Sequence, residues 1–99
     1  MAIMQVTVVP VGTASASLGE SVAEVVKVVR RKGLKHELNA MGTNVEGPAE
    51  QLFAVAREMH EAGFHKGAPR VTTVITIDDR RDKELTMEYR VQSVLKKLA

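Results

Sequence analysis

The 99-residue sequence has no cysteine, no tryptophan and little aromatic content of any kind. Without cysteine, the chain cannot form a disulfide, a thiolate nucleophile or a cysteine-ligated zinc site, and a reducing compartment is permitted. Its aromatic residues are Phe53, Phe64 and Tyr89. The core must therefore be built from aliphatic side chains and methionine, which make up most of the 44% hydrophobic content.

The chain also lacks a strong charge of either sign, because 14 Lys and Arg residues oppose 12 Asp and Glu residues. A net charge of +2 is too small to indicate binding to nucleic acid or to an anionic membrane. The first residues have neither the basic region nor the apolar stretch of a secretion signal, and no run approaches the roughly 20 apolar residues of a membrane span. These features predict a soluble, cytoplasmic protein with a single domain over residues 1–99 and no nucleic-acid or membrane partner.

What the sequence does contain is regular patterning of apolar and polar residues. The spacing predicts strands over residues 3–11, 34–41, 43–47 and 70–78. It also predicts a second helix over 48–64 and a third over 83–98. The first helix is expected to begin at Ser17, which forms a capping box with Glu20, and to end at Gly33 as its C-cap. The predicted order of elements is therefore β-α-β-β-α-β-α.

Two βαβ units joined by a hairpin predict an α+β fold, the ferredoxin-like βαββαβ sandwich, here with an extra C-terminal helix. In this topology the first strand lies between the third and the fourth, and the second lies outside the third. Both crossover helices cover one face of the sheet and leave the other face bare. A bare face with β-branched residues is expected to be covered by a second copy, so the sequence predicts a homo-oligomer.

The segment 40–47 is the feature that most suggests a site, since it is a hairpin turn that runs into a short strand. Gly42 is expected to adopt a positive φ in the turn. Thr43, Asn44 and Glu46 follow it with a hydroxyl, an amide and a carboxylate. These groups are able to form hydrogen bonds with a small polar ligand.

The predicted topology places Thr13, at the end of the first strand, near the starts of the third strand at Thr43 and the fourth at Arg70. Polar groups that converge at one end of a sheet are typical of a small-molecule site. Two alternatives stay open. The turn residues can serve only local geometry, with Glu46 as a solvated charge, and the helix start at Ser17 can bind an anion or only its own cap.

The three histidines lack the partners that catalysis or metal binding requires. His60 and His65 are five residues apart, which does not place them on one helix face, and His36 lies in an alternating strand. The acidic segment 78–82 is interleaved with arginines, which predicts a solvated ion-pair loop rather than a cation site. RNA binding is not favoured, because none of the aromatic rings lies on a central strand.

Three segments together resemble a known family. They are Val9-Pro10-Val11-Gly12-Thr13, Met41-Gly42-Thr43-Asn44-Val45-Glu46-Gly47 and Arg70-Val71-Thr72-Thr73. In this order and spacing they look like the small thiamine-binding proteins related to YkoF, and the likeness covers nearly the whole chain. The resemblance implies a ferredoxin-like subunit assembled as a homotetramer, a dimer of dimers joined through its sheets. It also implies non-enzymatic binding of thiamine or its hydroxymethylpyrimidine moiety.

The resemblance also implies a set of ligand contacts. Position by position, it points to Gly12, Thr13, Ser15, Met41, Thr43, Asn44, Glu46 and Arg70. Glu46 is the expected acceptor for the exocyclic amine of the pyrimidine, and Met41 or Val11 is expected to pack on a ring. No catalytic residue, metal or cofactor is expected other than the bound thiamine or hydroxymethylpyrimidine. The alternative function is a structural or regulatory oligomer of the same fold that senses another small ligand.

Overall fold

The structure, a computed structural model, describes residues 1–13 and 18–99 of the chain. Its elements in chain order are β1 (Ala2–Val11), α1 (Gly19–Lys32), β2 (Lys35–Asn39), β3 (Gly42–Gly47), α2 (Ala49–Ala62), a 3-10 turn (His65–Gly67), β4 (Arg70–Asp79) and α3 (Met87–Leu98). This order confirms the predicted α+β, ferredoxin-like fold with an additional C-terminal helix. The predicted cap at Ser17 and the predicted ligand contact at Ser15 lie outside the described residues.

The strands form one antiparallel sheet in the order β2-β3-β1-β4, as predicted. β1 pairs with β4 over its whole length, ending with Val11 opposite Arg70. β3 is shorter and pairs only with the first half of β1, where the final pair joins Val6 to Thr43. Within the described residues, the second half of β1 therefore has a strand neighbour on one side only.

The hydrophobic core lies between one face of the sheet and the helices α1 and α2. Alternate residues of β1 point into it, and Met4 and Val6 are almost fully buried there. α1 is rich in valine, whose branched side chains lower helix propensity, so this helix depends on packing its apolar stripe against the sheet. The core cluster comprises Ala2, Met4, Val6, Val8, Val25, Val28, Val29, Val45, Leu52, Val55, Ala56 and Met59.

Two glycines set the geometry at the ends of elements. Gly33 ends α1 in the left-handed region with a φ of 70°, as predicted for its C-cap. The prediction of a positive φ at Gly42 is wrong. Glycine is needed there because a Cβ would lie 2.9 Å from Thr7 Oγ1 and 3.0 Å from Val6 O. The hairpin thus packs tightly against β1, and Thr7 Oγ1 donates a hydrogen bond of 3.1 Å to Met41 O.

The prediction that the second face of the sheet is bare is wrong at one end, where the start of α3 lies on it. The backbone N–H of Met87 donates a hydrogen bond of 2.7 Å to Oε1 of Glu46 on β3. Arg90 Nη1 lies 2.8 Å from Asp78 Oδ2 on β4, and both Leu85 and Met87 are buried. The remaining apolar side chains of α3 are exposed, namely Tyr89, Val91, Val94, Leu95 and Leu98.

Candidate functional site

A row of polar side chains crosses the sheet on the face opposite α1 and α2. Strand pairing places Glu37 of β2 opposite Asn44 of β3. Asn44 in turn lies opposite Gln5 of β1, and Gln5 lies opposite Thr76 of β4. With strands about 4.8 Å apart, this polar row spans about 14 Å. It presents a carboxylate, two amides and a hydroxyl on one surface.

The polar row forms the floor of a groove of about 260 Å³, which we call the α3 groove because the first turns of α3 form its wall. Besides the polar row, the groove is lined by Ile3, Asp78, Met87, Arg90 and Val91. Apolar side chains therefore stand beside hydrogen-bonding groups. This combination is typical of small-molecule sites, although the volume is just below their usual range of roughly 300–1,000 Å³.

The lining of the α3 groove has more negative than positive charge. Glu37 and Asp78 contribute carboxylates, whereas Arg90 contributes a guanidinium that pairs with Asp78 at 2.8 Å. The side chain of Glu37 forms no hydrogen bond or ion pair with any residue in the ranges 1–13 and 18–99. Its carboxylate is therefore available to a ligand, and the groove suits a neutral or cationic molecule with both donor and acceptor groups.

Two of the predicted ligand contacts, Asn44 and Glu46, lie at this end of the sheet. Asn44 belongs to the polar row and lines the groove. Glu46 faces the same side, but it is only 6% exposed because α3 covers it, and Oε1 is occupied by the Met87 N–H at 2.7 Å. The carboxylate of Glu46 therefore holds the helix, while that of Glu37 is the accessible one.

Gly12 and Thr13 line a separate cavity of about 530 Å³ between the end of β1, the start of α1 and the 3-10 turn. His65 and Lys66 line it from the turn. Lys66 pairs with Glu20 in the first turn of α1, and this hydrogen bond lowers the pKa of the Glu20 carboxyl below its ordinary value. The cavity is therefore polar and mixed in charge.

Met41 and Thr43 line a third cavity, a crevice of about 160 Å³ between α1 and the β2–β3 hairpin. Thr43 is buried there, whereas Met41 is 80% exposed. Valines of β1 and α1 form much of the wall. The crevice is therefore largely apolar and offers few groups to orient a polar ligand.

The predicted convergence of the ligand contacts at one end of the sheet is wrong within a single chain. Val11 does lie opposite Arg70, but Thr43 lies opposite Val6, which is about 17 Å away along β1. The reason is the short β3, which pairs only with the first half of β1. Among the described residues, Arg70 is not part of the lining of these three cavities. Individual ligand roles for these residues stay predictions.

Sequence reasoning missed three members of the polar row, namely Gln5, Glu37 and Thr76. Gln5 interrupts a run of apolar and β-branched residues, Thr76 places a hydroxyl between two isoleucines, and Glu37 lies in an alternating strand. A polar residue inside an otherwise apolar strand is a usable signal for a site. Its neighbours on other strands, however, follow only from the register, which the pattern of one strand does not determine.

The histidines make local contacts. His60 Nδ1 lies 2.7 Å from Thr73 Oγ1, and His36 Nδ1 lies 2.9 Å from Leu34 O. Among residues 1–13 and 18–99, no three side chains of the metal-binding types gather into one group. The helices in the same ranges are all too short or too polar to cross a membrane.

The acidic segment after β4 is an ion-pair loop, as predicted. Arg80 pairs with Asp82 at 2.6 Å, and Arg81 pairs with Asp79 at 2.8 Å. Hydrogen bonds from these guanidinium groups lower the pKa of both carboxyls. The carboxylates are therefore neutralised by their own neighbours in the chain.

Comparison with known proteins gives a family match and several relatives that align with most of this chain. The family model for thiamine-binding protein matches residues 4–95. A UPF0045 protein of Bacillus subtilis is 46% identical over 102 residues, which covers 99% of this chain and 98% of that protein. A UPF0045 protein of Synechocystis is 41% identical and covers 93% of this chain and 75% of that protein.

Solved structures share the fold. The crystal structure of a hypothetical protein from Methanocaldococcus jannaschii superposes with a TM-score of 0.86 at 31% identity, with 94% of each chain covered. A candidate thiamine biosynthesis/salvage protein of Thermotoga maritima superposes with a TM-score of 0.78 over 94% of this chain and 97% of that one. At 22% identity, the second likeness shows the fold alone.

Proposed function

Because the chain belongs to the thiamine-binding protein family, we propose that it binds thiamine or its hydroxymethylpyrimidine moiety without chemical conversion. The observation that supports this function is the polar row on the floor of the α3 groove. It offers hydrogen-bond donors and acceptors in a line across the sheet, beside an apolar wall.

The polar row matches the hydrogen-bonding groups of an aminopyrimidine. The exocyclic amine donates to the carboxylate of Glu37, and the ring nitrogens accept from the side-chain amides of Gln5 and Asn44. A hydrogen bond to an ionised carboxylate is stronger than one between neutral groups, so Glu37 contributes most to the recognition of the amine.

The second ring of thiamine, a thiazolium, is positively charged, and the surplus of carboxylate in the groove favours it. Two acids, Glu37 and Asp78, oppose one cation, Arg90, among the lining residues. Met87 and Val91 give the wall on which either ring packs. The groove therefore supports both the pyrimidine alone and the complete vitamin.

Binding rather than turnover is supported by the kinds of side chain that line the groove. They are carboxylates, amides, one hydroxyl, one guanidinium and aliphatic groups. Among these described lining residues there is no hydroxyl, thiol or amine placed beside a base that activates it, which covalent catalysis requires. The groups present orient and hold a ligand.

The proposed functional form is a homotetramer, a dimer of dimers. Val91, Val94, Leu95 and Leu98 recur at helical spacing along α3 and form an exposed apolar stripe. Such a stripe is typical of a surface that another subunit covers. Its first residue, Val91, also lines the groove, so a second copy packed on the stripe lies next to the ligand.

Isothermal titration calorimetry tests the proposal with thiamine, hydroxymethylpyrimidine, thiamine monophosphate and thiamine diphosphate. We expect saturable heat with thiamine or with hydroxymethylpyrimidine. Gln5→Ala should weaken that binding, whereas the matched control Gln51→Ala, exposed on α2, should not. No heat with any of the four at high protein concentration would overturn the proposal. A structural or regulatory oligomer that senses another ligand would then explain the fold better.

A further inference from the structure

A groove of about 510 Å³ runs between α1 and the edge strand β2, and we call it the α1 groove. Two kinds of side chain dominate its lining, namely apolar ones along its length and cations towards one end. The apolar ones are Val22, Ala23, Val26 and Leu38, and the cations are Lys27 and Arg30. Among the described residues that line this groove there is no carboxylate. The α1 groove is therefore opposite in charge to the α3 groove, whose lining has a surplus of acid.

The α1 groove exists because the helix does not close over the edge strand. Leu38 lies opposite Thr43, which lies opposite Val6, so all three side chains face the helix side of the sheet. Thr43 and Val6 are buried, whereas Leu38 is 60% exposed. Apolar surface on the core-facing side of β2 is therefore open to solvent beside α1.

The α1 groove adjoins the apolar crevice between α1 and the β2–β3 hairpin. Both cavities are lined by Val22, Leu38 and Asn39. The side-chain oxygen of Asn39 already accepts a hydrogen bond of 3.2 Å from the backbone N–H of Met41. Beyond the shared residues, valines of β1 and α1 form much of the crevice wall. One largely apolar path therefore leads from the hairpin along α1.

Helical spacing places a positive charge at the far end of this path. Val22, Val26 and Arg30 are four residues apart and lie in one row along α1. At 1.5 Å per residue, the row is about 12 Å long. A ligand that extends from the crevice along this row therefore contacts apolar side chains first and a guanidinium last.

The guanidinium of Arg30 is available to a ligand. Lys27, the other cation of the lining, pairs with Glu24 at 2.9 Å. The side chain of Arg30 is exposed and forms no hydrogen bond or ion pair with residues 1–13 and 18–99. Arg31 and Lys32 follow it in the last turn of α1, where cations offset the negative end of the helix dipole. This end of the groove therefore favours an anion.

We propose that the α1 groove binds an aliphatic monocarboxylate of medium chain length. Its carboxylate pairs with the guanidinium of Arg30, whose planar shape matches a carboxylate with two parallel hydrogen bonds. Its chain lies along Val26 and Val22 towards the crevice. One free cation at the end of an apolar path matches one negative charge at the end of an apolar chain.

A second copy of this chain fits the α1 groove less well. The exposed apolar helix that it would offer is α3, which ends in Lys96 and Lys97. These lysines would bring like charge to Arg30, which disfavours the contact. Charge complementarity therefore favours an anionic ligand.

NMR titration with octanoate tests the site in the absence of thiamine. We expect saturable shifts of backbone amides in α1 and β2 at the residues that line the groove. Each buried methylene should contribute about fourfold in affinity, so hexanoate should bind about 15-fold more weakly. Octylamine has the same chain with the opposite charge and should bind more weakly than octanoate. Equal affinity for hexanoate and octanoate would overturn the proposed path of the chain.

Arg30→Gln tests the contact with the carboxylate. It should weaken octanoate about 3- to 10-fold, since a hydrogen bond to a charged group is weakened by exposure to water. Arg57→Gln is the matched control, because it removes an exposed guanidinium from α2 and should leave the affinity unchanged. Octanol, which has no charge, should bind equally to Arg30→Gln and to the unchanged protein. Equal affinities for octanoate in the two variants would overturn the role of Arg30.

The result is independent of the proposed function. The α1 groove and the α3 groove share no lining residue among those described, so a failure to bind thiamine would leave the octanoate titration intact. If neither carboxylate binds at millimolar concentration, the proposal is wrong. An acidic segment of another protein would then match the charge of this groove better.

Discussion

Oε1 of Glu46 on β3 accepts a hydrogen bond of 2.7 Å from the backbone N–H of Met87, the first residue of α3. That N–H has no acceptor within the helix, and a carboxylate near a helix N-terminus is also favoured by the helix dipole. Thr86 completes the cap by accepting from the N–H of Tyr89 at 3.0 Å. Glu46 therefore fixes the wall of the α3 groove to its floor.

Replacing Glu46 with alanine should release α3 from the sheet. The buried N–H of Met87 then has no acceptor, which costs about 1–3 kcal/mol in the free energy of unfolding. Glu46→Gln keeps an acceptor oxygen and should lose only the interaction with the helix dipole, about 0.3–1 kcal/mol. Urea denaturation measures both changes, and faster amide exchange in α3 should accompany the alanine variant. Equal losses in the two variants would show that the hydrogen bond is not what anchors the helix.

Glu37→Gln should weaken ligand binding without lowering stability. The carboxylate of Glu37 is exposed and makes no polar contact with the described residues, so its replacement should act through the proposed ligand contact and not through the fold. Loss of a hydrogen bond to a charged group corresponds to about 1.5–3 kcal/mol, or roughly 10- to 150-fold in Kd. Calorimetry checks the affinity, with Glu50→Gln on α2 as the exposed control. If both variants bind thiamine like the unchanged protein, Glu37 is not part of the site.

Gly63→Ala should destabilise the fold because α2 ends in close contact with the sheet. A Cβ at Gly63 would lie 2.6 Å from Val8 Cγ1 and 3.0 Å from Val71 Cγ1. Overpacking of this kind costs about 1–3 kcal/mol, which lowers the Tm by about 4–8 °C per kcal/mol in a domain of this size. Gly19→Ala at the start of α1 is the control, since its Cβ meets no described atom within 4 Å. Thermal melting should separate the two variants, and equal Tm values would contradict the close packing.

Lys66 should control the acid titration of Glu20. Its hydrogen bond lowers the pKa of the Glu20 carboxyl, so the pairing is complete above the ordinary carboxyl pKa and is lost as the pH falls through the lowered one. Lys66→Met should return the Glu20 pKa towards its ordinary value in an NMR titration. Lys27→Met is the reciprocal control, because Lys27 lowers the pKa of Glu24 instead. If the Glu20 pKa is the same in Lys66→Met as in the unchanged protein, the pair does not form in solution.

The order of elements could be predicted because each depends on a local pattern. The alternation over 70–78 gives β4 to within one residue, and Gly33 marks the end of α1 as expected. The last helix is the exception, since the apolar pattern predicts a start at 83 while α3 begins at Met87. There the pattern continues through Leu85, which is buried ahead of the helix, and the cap at Thr86 decides where the helix begins.

The site could be predicted only in part, because it depends on contacts between distant segments. Asn44 and Glu46 are two residues apart on β3 and point to the same face. Asn44 nevertheless lines the groove, whereas Glu46 is covered by α3. The sequence of β3 gives no sign of this difference, since it arises where a helix some forty residues later docks on the sheet. The requirement for glycine at position 42 also depends on a distant segment, because a Cβ there would clash with Thr7 on β1.

The short β2 strand limits how far the sheet can grow. β2 forms one border of the four-stranded sheet. Its five residues, with charges at Lys35 and Glu37, are a poor template for a further chain. This edge is therefore protected against pairing with a strand of another chain, which disfavours growth of the sheet into an open-ended fibril.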